Sequence, residues 1–390
     1  MKAIFLFLYF SISISIFGQT NDANLLIDKK IDAIPENLNN ATTSISEYIT
    51  ANFKSDNDKI RAVYYWTVSH ISYDLERLNE AKTTLTEKEK TAKTLTSRKG
   101  ICEDYALIFN ELANLVGVKT FQIQGYSRQN GKIDILSHAW CAASIDKKWY
   151  LFDPTWGAGF VDKNKYFKKI NNNFFKVAPD QMIHSHMPFD YLWQFMSYPI
   201  TNQEFISGKT LVNKAKKEFD FAREINRFEA LPKGDAFFES AQRIEKNGIK
   251  NQLILEAFNY AKEVSKNERE NQNSDKFNKI VAQYNEAVNE FNDFIFYRNN
   301  KFKPILPDDE IKSKITKPIE KFKKCQEDLF KLGSLNSSNN DNVTSLKKSI
   351  ADQLLQSDVH LKFVNSYLSK GKLIRKTMFT KLTYFGVPLN

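Results

Sequence analysis

The sequence predicts an α+β domain followed by an all-α region, and three patterns support this prediction. Residues 102–117 carry apolar side chains at helical spacing, and the stretch from residue 118 alternates as a half-buried strand does. After about residue 205 the strand patterns disappear and helical patterns dominate. Because 390 residues with 42% hydrophobic content suffice for two domains, we place the mixed domain at 19–205 and the helical domain at 206–390.

The N-terminal segment has the features of a secretory signal peptide. Lys2 supplies an early positive charge, an apolar run extends from Ala3 to Phe17, and Gly18 is a small residue suited to the position before a cleavage site. The run is short for a transmembrane helix, although an uncleaved anchor is the alternative. We therefore expect a signal peptide at 1–18, a periplasmic or secreted protein, and no transmembrane segment after signal removal.

Helical patterns continue through the first hundred residues. Residues 20–60 are predicted to be helical with polar breaks, and residues 80–97, rich in Lys, Thr and Glu, predict an exposed loop or a short helix. Between them, Asp56 or Asn57 can cap a helix. The apolar face of that helix carries Ile60, Val63, Tyr64 and Val68.

The next predicted helix begins at about Cys102. Its apolar positions are Tyr105, Ile108, Leu112 and Leu115, and Gly117 ends it at a position suited to a left-handed residue. A helix that begins on a cysteine and packs beside a sheet is the first feature that points to chemistry.

Two hairpins follow this helix. Asn130-Gly131 is a hairpin turn signal, and strands at 138–145 and 148–156 flank a second turn at Asp146-Lys147. The helix is therefore expected to pack beside an antiparallel sheet.

The cysteines point away from a disulfide framework. Cys102, Cys141 and Cys325 are an odd and low number for an exported chain. Cys141 stands three residues after His138, so strand alternation turns it to the opposite face, where we expect it to pack. Cys325 lies on a Lys-rich helix without a partner motif, and we expect a structural role.

Cys102 is the candidate nucleophile. The partial positive charge of a helix N-terminus favours a thiolate, and Arg98 and Lys99 stand just upstream, whereas Glu103 and Asp104 act in the opposite direction. Taken alone, the residue is better explained as a small hydrophobe packed at the start of a helix.

His138 and Asp153 complete a possible catalytic set. If Asp146 and Lys147 form a two-residue turn, Ile145 pairs with Lys148, and Asp153 lies diagonal to His138 on the same face of the sheet. A cysteine nucleophile needs a base, and the base needs an orienting group. A core histidine and an Asp-Pro turn residue are the separate alternatives, so the prediction depends on the combination.

His184 and His186 are the further candidates for a metal site, because they form a His-Ser-His segment near Asp180 and Asp190. Two closely spaced ligands without nearby cysteines are weak support for metal binding. We therefore predict neither a metal nor a cofactor.

The charge of the chain sets few limits on partners. The formal net charge is +10 and the isoelectric point about 9.1, but lysines are scattered and no dense basic block occurs. We expect a soluble basic protein without a nucleic-acid partner.

Two segments resemble the transglutaminase-like superfamily in the order Cys, His, Asp. They are GICEDYA from Gly100 and SHAWCAASIDKKWYLFDPTW from Ser137. The similarity is greatest to the branch of kyphoscoliosis peptidase and related bacterial exported proteins, and it covers about residues 40–205. It rests on Gly100, Cys102, Tyr105, Ala106, His138, Ala139, Trp140, Trp149, Asp153, Thr155 and Trp156, with Tyr64, Trp66 and Tyr73 upstream and residues 186–199 downstream. One departure is Cys141, where such proteins often have Asn.

This resemblance implies a papain-like fold with Cys102 as nucleophile, His138 as general base and acid, and Asp153 as the orienting group. It implies an exported cysteine-dependent acyl-transfer enzyme that acts on peptide or side-chain amides, as a peptidase, amidase or transglutaminase. The backbone N–H of Cys102 and a side chain from residues 66–73 are the candidate oxyanion donors. The alternative is a non-catalytic module that binds protein or glycan at the cell envelope, and the helical half could serve as a scaffold there.

Overall fold

The computed structural model describes residues 13–79, 85–333 and 337–379, together with two short strands near the C-terminus. The chain divides into two compact units, Met1–Lys262 and Glu263–Asn390. Most of the predicted signal peptide at 1–18 lies outside the described residues, and residues 13–18 begin the first helix. Within the described part of the chain, no helix combines the length and apolarity that a membrane span requires.

The first unit is an α+β domain, as the sequence predicts. Its helices and strands are, in chain order, α1 Ser13–Asp32, α2 Thr42–Asn52, α3 Asp56–His70, β1 Ser72–Tyr73, α4 Glu87–Ser97, β2 Lys99–Gly100, α5 Cys102–Leu115, β3 Thr120–Gln129, β4 Lys132–Ile145, β5 Lys148–Phe152, α6 Pro154–Ala158, β6 Gly159–Asp162, β7 Lys165–Lys168, α7 Pro179–Met182, β8 His186–Pro188, α8 Asn202–Ile206, α9 Phe221–Ala230 and α10 Lys233–Asn247.

The second unit is mainly helical. Helix α11 Gln252–Asn299 runs from the first unit into the second, and the chain continues with α12 Asp308–Phe330, α13 Ser337–Leu368, α14 Lys372–Thr377, β9 Thr383–Tyr384 and β10 Val387–Pro388. The two terminal strands pair with each other and were not predicted. Aromatic and aliphatic side chains of α11, α12 and α13 form the core of this unit, and Cys325 is fully buried in it.

The start of α3 differs from the prediction by one residue. Ser55, rather than Asp56 or Asn57, is the N-cap, and its side chain accepts a hydrogen bond from the backbone N–H of Asp58. Serine can cap because its extended backbone turns the hydroxyl oxygen towards the free amides of the first turn. The predicted apolar face of α3 is fully buried at Ile60, Val63, Tyr64 and Val68.

Helix α5 begins at Cys102, as expected, and Gly117 after its end has φ 87°. Tyr105, Ile108 and Leu112 are fully buried, but Leu115 is 47% exposed, so the last predicted apolar position does not enter the core. Residues 87–97 form α4, which realises the short-helix alternative, while residues 80–84 lie outside the described part.

The sheet has the strand order β5-β4-β3-β8, and every pair in it is antiparallel. Both predicted turns are present, and Asp146 and Lys147 adopt φ values of 51° and 62°. The predicted register is confirmed, since Ile145 pairs with Lys148.

The lengths of the two strands differ from the prediction. β4 begins at Lys132 instead of His138, and β5 ends at Phe152 instead of continuing to residue 156. Pro154 explains the second difference, because proline has no N–H for the ladder and is favoured in the first turn of a helix.

The sheet is buried on both faces. On one face, Ala139, Cys141 and Ala143 of β4 join the main core with α3 and α5. On the other face, Trp140 packs in a second cluster that includes Ile225 of α9. Helix α10 is also tied to this unit, since Arg243 forms a buried bidentate ion pair with Asp190. The compact unit therefore ends at residue 262, beyond the domain boundary at 205 that the sequence pattern suggests.

Candidate active site

The start of α5 places Cys102 at a well-anchored helix N-terminus. The carboxylate of Asp104 accepts a hydrogen bond from the backbone N–H of Ile101 at 2.8 Å and from Arg77 at 2.6 Å. Cys102 is the first helical residue and is half-buried. Its backbone N–H belongs to the first turn, whose amides have no partner within the helix.

The two upstream cations differ from the sequence-based expectation. The guanidinium of Arg98 donates to the backbone carbonyl of Asn39 and lies 5.1 Å above the ring of Trp66. Lys99 is exposed. The positive character at Cys102 therefore comes from the helix start and from a histidine rather than from Arg98.

His138 and Asp153 are hydrogen bonded. The Nε2 of His138 donates to Oδ2 of Asp153 at 2.8 Å, and both side chains are buried. Asp153 caps α6, because its Oδ1 accepts from the backbone N–H groups of Thr155 and Trp156 at 2.8 and 3.0 Å. The carboxylate is thus held by the backbone on one side and by an imidazole on the other.

Charge interactions and hydrogen bonds together outweigh burial in setting the charge of this pair. Burial alone lowers the pKa of His138, but the charge and hydrogen bond of Asp153, followed by those of Cys102, raise it to about 10. The pKa of Asp153 is lowered, since His138 and His186 more than offset the effect of burial. With Nε2 bound to Asp153, Nδ1 is the nitrogen of His138 that remains for the thiol of Cys102.

His186 joins this site, and the sequence did not reveal it. Its Nε2 lies 3.0 Å from Oδ2 of Asp153, and the residue is 1% exposed. It lies on β8, which pairs with β3 next to β4. Gly125 of β3 allows this close packing, because a Cβ there would lie 2.2 Å from the carbonyl oxygen of Met187. Two signals lie near it in the sequence: the His-Ser-His segment, which suggests a metal site, and residues 186–199 of the family resemblance, to which no site role is attached.

The metal cluster that the His-Ser-His segment suggests does not form. His184 hydrogen bonds to Thr210, Asp190 pairs with Arg243, and Asp180 is exposed. The described residues instead bring ligand atoms of His138, Asp153 and His186 within 4.8 Å of one another. Both imidazoles already donate to the carboxylate, which accounts for these distances without an ion. The absence of a metal remains a prediction.

Cys141 packs in the core and lies away from His138. It is fully buried, and its thiol donates to the carbonyl of Ala106 in α5 at 3.4 Å. Burial raises the pKa of this thiol well above its usual value. At the position where similar proteins often have Asn, this chain therefore has a thiol that hydrogen bonds to the helix carrying Cys102.

An open cleft of about 930 Å³ lies beside His138. Its walls come from the β1 region, the β3–β4 hairpin and the β6–β7 hairpin. Its lining includes Tyr73, His138, Trp156, Phe160, Tyr166 and Phe174. A cleft of this size is large enough for several side chains of a ligand.

Comparisons with known proteins identify a family that this part of the chain resembles. Residues 43–154 match the model of the transglutaminase-like superfamily. The chain is 30% identical over 162 residues to kyphoscoliosis peptidase of Mus musculus and to that of Homo sapiens, which is 39% of this chain and 24% of each relative. It thus spans about a quarter of the length of these curated relatives.

A solved structure described as a TGase is 22% identical and covers 40% of this chain and 37% of that chain, with a TM-score of 0.24. The family model matches the segment that contains Cys102, His138 and Asp153, while His186 lies beyond that segment. Residues 43–154 are therefore similar to the transglutaminase-like superfamily, and the two relatives described above are named as peptidases.

Proposed function

We propose that this chain is an exported cysteine-dependent acyl-transfer enzyme that acts on peptide or side-chain amide bonds. The observation that carries the proposal is the set of contacts from Cys102 through His138 to the buried carboxylate of Asp153. Nucleophile, base and orienting group are linked in the order that covalent catalysis needs.

In the first half of the reaction, the thiolate Sγ of Cys102, whose proton has already passed to Nδ1 of His138, attacks the amide carbon. The C–N bond then breaks as His138 returns that proton to the leaving amine, which leaves a thioester on Cys102. Asp153 keeps its negative charge throughout and stabilises the imidazolium.

In the second half, water or an amine attacks the thioester while His138 takes a proton from the attacking group. The acyl product leaves, and the proton stays on His138 beside the Cys102 thiolate, which restores the starting pair. Water gives a peptidase or amidase, and an amine gives a transglutaminase; we propose hydrolysis as the main outcome because the cleft is open to solvent.

We assign the two oxyanion donors to the backbone N–H of Cys102 and the hydroxyl of Tyr73. Tyr73 lines the cleft beside His138 and belongs to the predicted segment 66–73. Burial, and then the nearby charges of Cys102 and Asp153, raise its pKa, so the hydroxyl keeps its proton and can donate. A donor at this position typically contributes about 3 kcal/mol to the transition state.

The cleft supports a protein or peptide as the substrate. The β6–β7 hairpin on its wall presents Phe160 and Phe167, whose stacked rings are 51% and 46% exposed. Exposed aromatic rings beside an open cleft are suited to apolar side chains of an extended chain. A component of the cell envelope is the substrate source we propose, in keeping with the expected export.

The experiment is to incubate the protein with casein and a fluorescent amine. Casein fragments would support hydrolysis, and incorporation of the amine would support transfer. Cys102→Ser is the control, since both activities must disappear with the thiol. If the wild type shows neither activity and Cys102 forms no thioester, the non-catalytic binding module is the better account.

A further inference from the structure

His186 is a buried histidine that the proposed reaction does not use. It lies 3.0 Å from Asp153, on the same carboxylate oxygen that binds His138. It comes from β8, which follows both the helix that carries Cys102 and the β4–β5 hairpin in the chain. A titratable group fully enclosed beside a reactive pair calls for a physical explanation.

The hydrogen bonds define the state of the His186 ring. An ionised carboxylate can only accept, so Nε2 of His186 donates to Asp153. Nδ1 lies 2.8 Å from the hydroxyl of Ser185, which can donate to it when the ring is neutral. Burial lowers the pKa of His186, which is consistent with the neutral ring.

Aromatic side chains fix the plane of the ring. The centroid of His186 lies 4.5 Å from that of Trp156 and 5.1 Å from that of Trp140, which meets it edge-on. The ring therefore cannot rotate away from Asp153 without displacing Trp140 of the core and Trp156 of the cleft wall.

The carboxylate is fully saturated as a result. Oδ1 accepts from two backbone amides of α6, and Oδ2 accepts from His138 and His186. Four donors occupy the four acceptor sites that a carboxylate offers, and the side chain is completely buried. A neutral imidazole supplies the fourth donor without bringing a second positive charge to compete with His138.

We propose that His186 is a positioning residue that holds the Asp153 carboxylate in the orientation that binds His138. Without this contact, Oδ2 has one partner instead of two, and the carboxylate can turn about the bonds to α6. The consequence is a less well oriented His138 and a less reactive Cys102. The inference rests on the proposed roles of Cys102, His138 and Asp153.

The test compares two nearly isosteric variants of the full chain, His186→Gln and His186→Asn. The amide nitrogen of Gln can occupy the place of Nε2 and keep the donor, whereas Asn reaches only the place of Nδ1 and loses it. The readout is the rate at which iodoacetamide and iodoacetate modify Cys102, located by peptide mass spectrometry. The anionic reagent is favoured by a protonated His138 beside the sulfur, so the ratio of the two rates reports on that pair.

We expect His186→Gln to stay close to the wild type, while His186→Asn loses about tenfold or more in rate, the size typical of a lost supporting hydrogen bond. The iodoacetate preference should fall with it. His184→Gln is the matched control, because His184 binds Thr210 outside this site.

Equal rates and equal ratios for Gln, Asn and wild type would overturn the inference, provided that near-ultraviolet circular dichroism shows both variants folded. A variant that fails to fold is replaced by Ser185→Ala, which removes the partner of Nδ1 and a hydrogen bond to the Met182 carbonyl, and which should lower the rate below that of the wild type. A further outcome concerns the wild type and His138→Gln. If both give the same ratio of iodoacetate rate to iodoacetamide rate at Cys102, the proposed function fails rather than the role of His186.

Discussion

At the residue scale, the two histidines that share Asp153 have opposite pKa shifts. The pKa of His138 is raised to about 10 and that of His186 is lowered, although both are buried. Asp153 and Cys102 together stabilise the charged form of His138, while burial dominates at His186. Environments that separate two pKa values in this way are typical of acid–base sites.

This difference predicts the charge states that nuclear magnetic resonance can read from labelled histidines. Between about pH 7 and 8.5 we expect His138 to stay protonated and His186 to stay neutral, with no titration step in either ring. His138→Gln and His186→Gln assign the signals. A midpoint for His138 near its ordinary value of 6.5 would contradict the arrangement.

The raised pKa of His138 determines the direction in which stability changes with pH. Because the pKa of His138 is higher in the folded chain than in the unfolded chain, its contribution is complete below about pH 6.5. The contribution is lost as the pH rises towards 10. The difference in free energy of unfolding between the wild type and His138→Gln should therefore shrink over this range in urea titrations.

Sequence patterns predict the His138–Asp153 contact but not the contact of His186, and the difference has a physical reason. The His138–Asp153 contact follows from local hairpin register, which two turn residues determine. His186 approaches Asp153 from 33 residues further along the chain, through a strand whose place beside β3 leaves no local pattern.

At the element scale, a buried ion pair joins α1 to α3. The guanidinium of Arg61 binds Asp28 through two hydrogen bonds of 2.8 and 2.6 Å, and Arg61 is 1% exposed. The guanidinium carbon of Arg61 lies 4.9 Å from the centroid of the Phe175 ring. Arg61 therefore takes part in both an ion pair and an aromatic contact. The sequence predicts helical structure within residues 20–60 and the apolar face of α3, but it does not predict this pairing.

Replacing one partner of the Arg61–Asp28 ion pair should destabilise the fold. Arg61→Met leaves the carboxylate of Asp28 buried without its partner, and we expect the free energy of unfolding to fall by about 3–5 kcal/mol. Adding Asp28→Leu removes the unpaired charge and should restore most of the loss. Urea unfolding of both variants measures the effect, and an unaltered stability in Arg61→Met would show that the pair is not needed.

The β6–β7 hairpin should contribute to substrate binding without affecting the nucleophile. Phe160→Ser removes an exposed ring from the cleft wall, and we expect kcat/KM on casein to fall about tenfold, from the loss of roughly 1.5 kcal/mol of apolar contact. Alkylation of Cys102 should not change. Leu211→Ser, an exposed position outside the cleft lining, is the control. Equal kinetics in the two variants would remove this hairpin from the binding surface.

At the scale of the whole molecule, the helices after residue 205 are divided between two compact units. Ile225 of α9 completes the cluster around Trp140, and Arg243 of α10 neutralises the buried Asp190. A sequence pattern shows that α9 and α10 are helices. It does not show which core they cover, because that depends on contacts between distant segments.

The boundary can be tested with fragments. A chain of residues 19–205 exposes the Trp140 cluster and leaves Asp190 unpaired, whereas residues 19–262 keep both contacts. We expect only the longer fragment to unfold cooperatively on heating. Equal melting of the two fragments would favour the boundary at 205 that the sequence pattern suggests.

The most direct test of the account is the rate at which iodoacetamide modifies Cys102 at about pH 6, where an ordinary thiol is almost entirely protonated. Peptide mass spectrometry follows Cys102, with buried Cys141 and Cys325 as internal references. The account predicts that the wild type reacts about tenfold or more faster than His138→Gln, because the imidazolium held by Asp153 stabilises the thiolate. Equal rates in the two proteins would contradict it.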